Sequence, residues 1–598
     1  MCREDSSNLL RMDDTQPLNK FSAKTFSLTL VLQAAVLGIF AFLGSLEPSV
    51  QASLVGAGID AEILATIPGS FSRYYVMLAF ACAGSMIYLL IESGRSEGSG
   101  SLPARGAIMA ILLGFIALVG SLQFPLCGDD SYIDFRYVKN WLTGSGIDYN
   151  PGERVLGFTS HLHVLLLAAL SLPFREPAVP VIAQLANIVL SMLNCLLLAF
   201  YIRDLKGSPA VGLAGAAIYA LDPYNSQQII FGKETQMIVS VLIISLWSLE
   251  KRHYHAFAWA SCLAPFIRPE GLIWSGICLI KLAMVEKRQA WRYVVAPVLA
   301  GLSILAVLFA LYGTIVPQGM VGKFSMFYPM PAFSMLGKCL WMAGTGVVLP
   351  RLTLNDPGLY GAVSILAGPL CIALLAYLAR KQSAFLYIPA VIAYLLIFAF
   401  KNPPAFGWYL CWFSLIPVFL ASEIFARAMD YGKAAVAVFL VLASAILAIQ
   451  QPVRASGGIE SITYQWNPEY HRLLQFDRLL RKVDTAEKSR AKKPVIATPE
   501  IGYIGYRYPG PILDLCGLVS PEVIPFGRPD LSRQSDGEAF EINPAIIASL
   551  KPDYVITLEL FARELLDDRS FKSSYRLLDT LPNDWGGGKG VLLYEKIL

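Results

Sequence analysis

The sequence predicts a polytopic α-helical membrane protein that carries a C-terminal soluble α/β domain on the outer face of the membrane. Three observations carry this. Of 598 residues, 55% are hydrophobic and 15% charged, and the mean hydropathy is +0.54, too apolar a balance for a water-facing globule. Apolar runs of roughly 17 to 23 residues, the length of a bilayer-crossing helix, recur from Phe26 to Ile449. Beyond Gln451 such runs stop and Lys, Arg, Asp and Glu become frequent, as in a soluble domain of ordinary size.

The N-terminal stretch, Met1 to Lys24, is polar and lacks a compact cleavable signal pattern, so Phe26 to Leu43 reads as a retained anchor. Short basic connections mark the cytoplasmic side, because Lys and Arg resist translocation. They are the N-terminus, Arg95/Arg105, Arg203/Lys206, Lys251/Arg252, Lys287/Arg288/Arg292, Arg380/Lys381 and Arg427/Lys433. Keeping all of them inside needs an even number of crossings between neighbours. About thirteen spans satisfy this, near 26–45, 74–92, 106–125, 180–202, 208–222, 237–250, 256–267, 271–285, 291–311, 357–378, 384–400, 409–427 and 433–450. Leu162 to Phe174 and Phe333 to Leu349 are left over. They are short, and either as a crossing would invert the charge pattern downstream, so they are expected to be re-entrant or surface-lying on the outer side. Elements of that kind persist at membrane depth only when buried in protein or lining a cavity.

Four regions follow: 1–125, the N-terminal tail and first spans; 126–178, an outer loop with an acidic pair, an interfacial helix and a re-entrant segment; 179–450, the bundle with its cavity loops; and 451–598, the extracytoplasmic domain. In the last, β-rich runs at Val495–Thr498, Ile512–Leu515, Tyr554–Thr557 and Val591–Tyr594 alternate with helix-like stretches at Tyr470–Val483 and Leu558–Leu566, an α/β layer pattern. The net charge of +4 is spread along the loops and gives no support to a nucleic-acid role. Most of the ten cysteines sit in apolar runs and suggest neither disulfides nor a zinc framework.

The chemistry-bearing residues gather in the outward loops. Asp129 and Asp130 open a helical pattern in which Ile133, Tyr137, Val138, Trp141 and Leu142 recur on one side, opposite Asp134, Arg136, Lys139 and Asn140. One Asp suffices to cap that helix. Two adjacent carboxylates at a cavity mouth either repel, raising one pKa, or share a cation, and both arrangements suit a general base or a metal site. Glu234 in Gly232-Lys-Glu-Thr235 is either a first-turn acid or a ligand group. Arg268 and Glu270, flanking Pro269, are costly at a membrane edge unless paired or used. Tyr312 and Lys323 follow a span, where Lys323 can meet a phosphate or snorkel. His161 and His163 lie on different faces of one helix, which disfavours joint ligation. Trp408 and Tyr409 are either belt aromatics or a sugar-stacking surface.

This ordered set resembles the GT-C glycosyltransferases, in particular the branch of the mycobacterial terminal arabinofuranosyltransferases. The matching elements run from Asp129-Asp130-Ser-Tyr-Ile-Asp-Phe-Arg136, Asn150-Pro-Gly-Glu-Arg154 and Phe158-Thr-Ser-His161 to Gly232-Lys-Glu-Thr235, Arg268-Pro-Glu-Gly271 and Tyr312-Gly-Thr-Ile-Val-Pro317 with Lys323. Ile501-Gly-Tyr-Ile-Gly505 and Asp514-Leu-Cys-Gly-Leu518 continue it. Two additional spans precede the acidic loop, Lys233 replaces an apolar residue, and His163 stands near a Trp position of some relatives. The resemblance implies an inverting transferase of a bacterial plasma membrane, taking a sugar such as arabinofuranose from a polyprenyl-phosphate donor to an extracytoplasmic glycan, lipid or protein. Asp129 is the expected base, with Asp130 assisting or holding a divalent cation (Mg2+, Mn2+ or Ca2+). Arg268, Lys323 and Arg136 are expected at the donor phosphate, and Glu234, Glu270, His161, Tyr312, Trp408 and Tyr409 around the substrate. The alternative is a transporter or flippase of lipid-linked sugars. Charges clustered at one face, without internal repeats, favour it less.

Overall fold

The computed structural model describes residues 70–93, 102–121, 127–174, 179–329, 334–347, 357–401, 403, 406–432, 468–486, 493–529, 540–583 and 590–597, with isolated positions in 31–38. The first and last expected spans, near 26–45 and 433–450, lie outside the described residues apart from those isolated positions. Helices dominate the rest. They are α1 (Ser70–Ser93), α2 (Leu102–Ser121), α3 (Ser131–Leu142), α4 (His161–Ser171), α5 (Val179–Lys206), α6 (Pro209–Leu221), α7 (Pro223–Phe231), α8 (Thr235–Glu250), α9 (Tyr254–Ile267), α10 (Gly271–Glu286) and α11 (Ala290–Tyr312). There follow α12 (Gln318–Met326), α13 (Met335–Val347), α14 (Pro357–Ala379), α15 (Tyr387–Lys401) and α16 (Leu415–Tyr431).

Among the described residues, five helical stretches are long and apolar enough to cross a membrane: Leu102–Gly120, Val179–Lys206, Gly271–Tyr312, Ser383–Lys401 and Gly407–Tyr431. Val76–Glu92, Pro209–Leu221, Thr235–Glu250 and Ile365–Ala379 are apolar but shorter. Gly271–Tyr312 contains a break. Its 42 residues would extend about 63 Å as one helix, twice a bilayer core. A short 3-10 turn, Lys287–Gln289, divides it into α10 and α11, and Lys287 adopts a φ of 43° there.

The C-terminal domain begins with α17 (Pro468–Ala486) and holds a five-stranded sheet in the order β2-β1-β3-β5-β4. β1 (Ile496–Thr498) pairs in parallel with β2 (Ile512–Asp514) and β3 (Tyr554–Leu558). β5 (Val591–Lys596) runs antiparallel to both β3 and β4 (Tyr575–Leu581). The four β-rich runs are β1, β2, β3 and β5. β4 was not anticipated: most of its residues after Tyr575 are exposed or half-buried, and Arg576, Asp579 and Thr580 dilute the apolar signal of this edge strand. The helix expected over 558–566 is instead the last residue of β3, a 3-10 turn at Glu559–Phe561 and a short helix at Arg563–Asp567.

Two hydrophobic cores form. One lies among the apolar helices. The other joins the C-terminal domain to α3, α4 and their loop, bringing Tyr132, Phe135, Val138, Tyr149, Val164 and Leu167 together with Ile501, Ile504 and Val555. Helix α3 forms where its periodicity places it, but its polar side does not face solvent. Residues Ser131 to Val138 are all buried: α18 (Ile501–Arg507) packs on Tyr132 and Arg136, while Asp134 faces Ser160 and His163. The two glycines of Ile501-Gly-Tyr-Ile-Gly505 permit this contact. A Cβ on Gly502 would stand 1.9 Å from the Asp129 carbonyl oxygen, and one on Gly505 would stand 1.8 Å from the Tyr149 hydroxyl.

Candidate active site

A cavity of about 430 Å³ opens where the helical bundle meets the C-terminal domain. Three helices start at its wall, and each is preceded by an acid: Asp130 before α3, Glu234 before α8 and Glu270 before α10. None of the three makes a side-chain capping bond. Their carboxylates are therefore available to other partners, and Asp130 does not cap α3.

Arg268 sits between two of them. Its Nη1 donates to Glu234 Oε1 at 2.5 Å and its Nη2 to Glu270 Oε1 at 2.9 Å, with 3% of the residue exposed. Burial favours the neutral acid at Glu234, but the adjacent Arg268 and Lys233 charges outweigh it and hold the carboxyl below its ordinary value. Burial likewise opposes the Arg268 charge, and Glu270 with Glu234 reverses the effect, raising its pKa further. With two carboxylates on it, Arg268 has little positive charge left to offer a ligand.

Lys323, on α12, is the cation nearest Asp130. Its Nζ lies 3.9 Å from Asp130 Oδ2 and donates to the Tyr409 hydroxyl at 3.3 Å. Burial alone would lower its pKa, but Tyr409 and Asp130 raise it, so the amine is charged. It also lies over the rings of Phe406, Trp408 and Tyr409 at 5.3 to 5.8 Å, and Lys233 lies 5.1 Å from the Trp408 ring centre. Phe406 and Trp408 stack at 4.8 Å with planes 3° apart. The lining also has apolar members, and Leu272, Phe324 and Ile397 are 69%, 53% and 48% exposed there. The lining thus suits both an anion and a hydrocarbon.

Several expected site residues stand elsewhere. Asp129, 7% exposed, turns away from the cavity into the C-terminal domain, where Gly502 N–H and Tyr503 N–H donate to its two oxygens at 3.2 and 2.8 Å. Its carboxylate thus caps α18, a helix remote in sequence, rather than α3. Burial pushes its pKa up, against Arg472 and these two amides. Arg136 does not reach the cavity either. Its guanidinium donates to the carbonyls of Tyr149, Gly505 and Gly510 at 2.6, 2.7 and 2.9 Å and to Asn150 Oδ1 at 3.1 Å, stapling the loop to the C-terminal domain. The Tyr312 hydroxyl donates to the Ile147 carbonyl at 2.5 Å and fastens the end of α11 to the same loop. His161 is buried beside Phe158 and Phe266, its two ring nitrogens without hydrogen-bond partners among the described residues, and burial lowers its pKa to about 4. Within the described residues, then, Asp130, Glu234, Arg268, Glu270, Lys323, Trp408 and Tyr409 share the cavity, and Asp129, Arg136, Tyr312 and His161 surround it as structure.

Asp134 and Lys233 line the cavity as well and were not among the expected ligands. Asp134 had a legible signal, since it follows Asp130 by four residues and so shares its helix face. Lys233 had none beyond standing next to Glu234.

A family described as a domain of unknown function (DUF8728) matches residues 464–594, the C-terminal domain. The chain is also similar to the terminal beta-(1->2)-arabinofuranosyltransferase of Mycobacterium tuberculosis, 28% identical over 239 residues. That match spans 36% of this chain and 37% of the relative, little more than a third of either.

Proposed function

We propose that this protein is a membrane glycosyltransferase that moves a sugar, such as arabinofuranose, from a polyprenyl-phosphate donor to a hydroxyl of an extracytoplasmic glycan, lipid or protein. The observation that carries the reading is the Asp130–Lys323 pair, an uncapped carboxylate and a charged amine 3.9 Å apart in one cavity with apolar lining residues. Similarity to a named arabinofuranosyltransferase supports the reaction class. It does not favour the transporter alternative.

In this reading Asp130, not Asp129, is the base. It takes the proton of the acceptor hydroxyl, whose oxygen attacks the anomeric carbon while the bond from that carbon to the phosphate oxygen breaks. Attack opposite the leaving group inverts the anomeric centre. Lys323 and Lys233 stabilise the charge that grows on the departing phosphate, Arg268 aims Glu234 and Glu270 at the sugar, and Trp408 offers it a stacking face. The exposed side chains of Leu272, Phe324 and Ile397 fit the start of the lipid chain. The thirteen-span topology, with the 126–178 loop and the C-terminal domain outside, accompanies this proposal. A membrane-impermeant maleimide should then label Ser145→Cys in intact cells.

The test is transfer by the purified wild type and Asp130→Asn proteins from labelled polyprenyl-phosphate pentofuranose and hexose donors. Wild-type transfer with inversion and a loss of roughly 10²- to 10⁴-fold in the variant is expected. Undiminished transfer by Asp130→Asn would overturn the assignment.

A further inference from the structure

The geometry points to a divalent transition-metal site built from Asp134, His163 and Glu234. The three come from separate elements, α3, α4 and the residue before α8, and all are buried, 4%, 2% and 4% exposed. One ligand atom from each lies within 4.8 Å of the other two. Glu234 supplies an independent observation. Its Oε1 is held by Arg268, while Oε2 is buried without a hydrogen-bond partner among the described residues. Burying such an orphaned oxygen is costly, and a cation would offset the cost.

The distances fit ligation better than hydrogen bonding. His163 Nδ1 is 3.5 Å from Asp134 Oδ2, long for a good hydrogen bond. Two ligands held at ~2.1 Å in tetrahedral array are about 3.4 Å apart. Ser160 Oγ donates to the same Asp134 oxygen at 2.6 Å and orients it, as outer-shell partners of metal ligands do. Charge also fits. Asp134, Glu234 and Glu270 carry three negative charges against the two positive charges of Arg268 and Lys233, a negative excess that a cation would offset. A neutral imidazole with two carboxylates selects Zn2+ or Mn2+ over Mg2+ or Ca2+. Because Asp134 and Glu234 line the cavity, the remaining coordination positions open into it and can take hydroxyl oxygens of a bound ligand.

Asp130 shares the cavity but is not one of the three ligands, and the test reads metal binding rather than the activity proposed above. Full-length protein in nanodiscs is loaded with Mn2+, freed of excess by dialysis and examined by pulsed electron paramagnetic resonance and metal analysis. One ion per chain with a nitrogen coupling from an imidazole is expected. His163→Gln should remove that coupling and weaken binding at least ten-fold, whereas Asp130→Asn should retain both. No retained ion in the wild type, an ion without nitrogen coupling, or binding indifferent to His163→Gln would each overturn the proposal. Loss of the ion in Asp130→Asn would overturn this ligand set.

Discussion

The backbone N–H of Tyr503 donates a 2.8 Å hydrogen bond to Oδ1 of Asp129, two residues that are 374 positions apart in sequence. With the Gly502 amide on the other oxygen, Asp129 is the point at which the acidic loop holds the C-terminal domain. Asp129→Ala should therefore act on stability. Removing it orphans two buried amides and should cost about 1 to 3 kcal/mol, read as a lower thermal midpoint. Asp130→Asn should leave the midpoint nearly unchanged while transfer is lost.

The glycine contact gives a steric version of the same test. In Gly502→Ala the new Cβ meets backbone oxygen at 1.9 Å, which cannot rotate away. Undocking of α18 from α3 should follow, detected as faster proteolysis of the C-terminal domain. Gly276, with nothing within 4 Å of its Cβ position, is the control, and Gly276→Ala should be neutral or stabilise by about 0.5 to 1 kcal/mol.

Asp514 predicts a pH dependence of stability. Burial pushes its carboxyl from 3.8 up to about 7, against backbone amides including those of Val519 and Cys516. A carboxyl whose pKa is raised on folding binds its proton more tightly in the native state. Its contribution is full below the unfolded value and is lost as pH rises through about 7. The thermal midpoint should fall as pH rises from about 4 to about 7, with a stability loss of at most about 1.4 kcal/mol per pH unit, and level off above. Asp514→Asn should flatten that dependence.

Arg268 is predicted to hold the cavity wall together. Arg268→Met leaves Glu234 and Glu270 facing each other in a buried site and should cost about 3 to 5 kcal/mol. Adding Glu234→Gln and Glu270→Gln removes the stranded charges and should restore most of the thermal midpoint without restoring transfer. If the triple variant were no more stable than Arg268→Met, the pairing would not be what Arg268 supplies.

Local patterns were legible in the sequence wherever a single element generates them. The periodicity of Ile133, Tyr137, Val138, Trp141 and Leu142 marked α3, four β-rich runs marked four of five strands, and the break between α10 and α11 followed its charges. The three acids of the cavity wall, Asp130, Glu234 and Glu270, were legible because each stands at a helix start, a place where an uncommitted acid is conspicuous. The placement of Asp129 and Arg136 outside the cavity lining was not legible, for a definite reason. An acidic pair and an arginine carry the same chemistry in a sequence whether they face a substrate or the backbone of another domain.

By itself the sequence determined that the chain is an apolar helical protein with an α/β tail, because composition and period are properties of contiguous residues. Only the tertiary structure decided which carboxylate is available. The amides of Gly502 and Tyr503 lie far along the chain from Asp129, and hydrogen-bond partners brought together by folding leave no trace in the spacing of either segment.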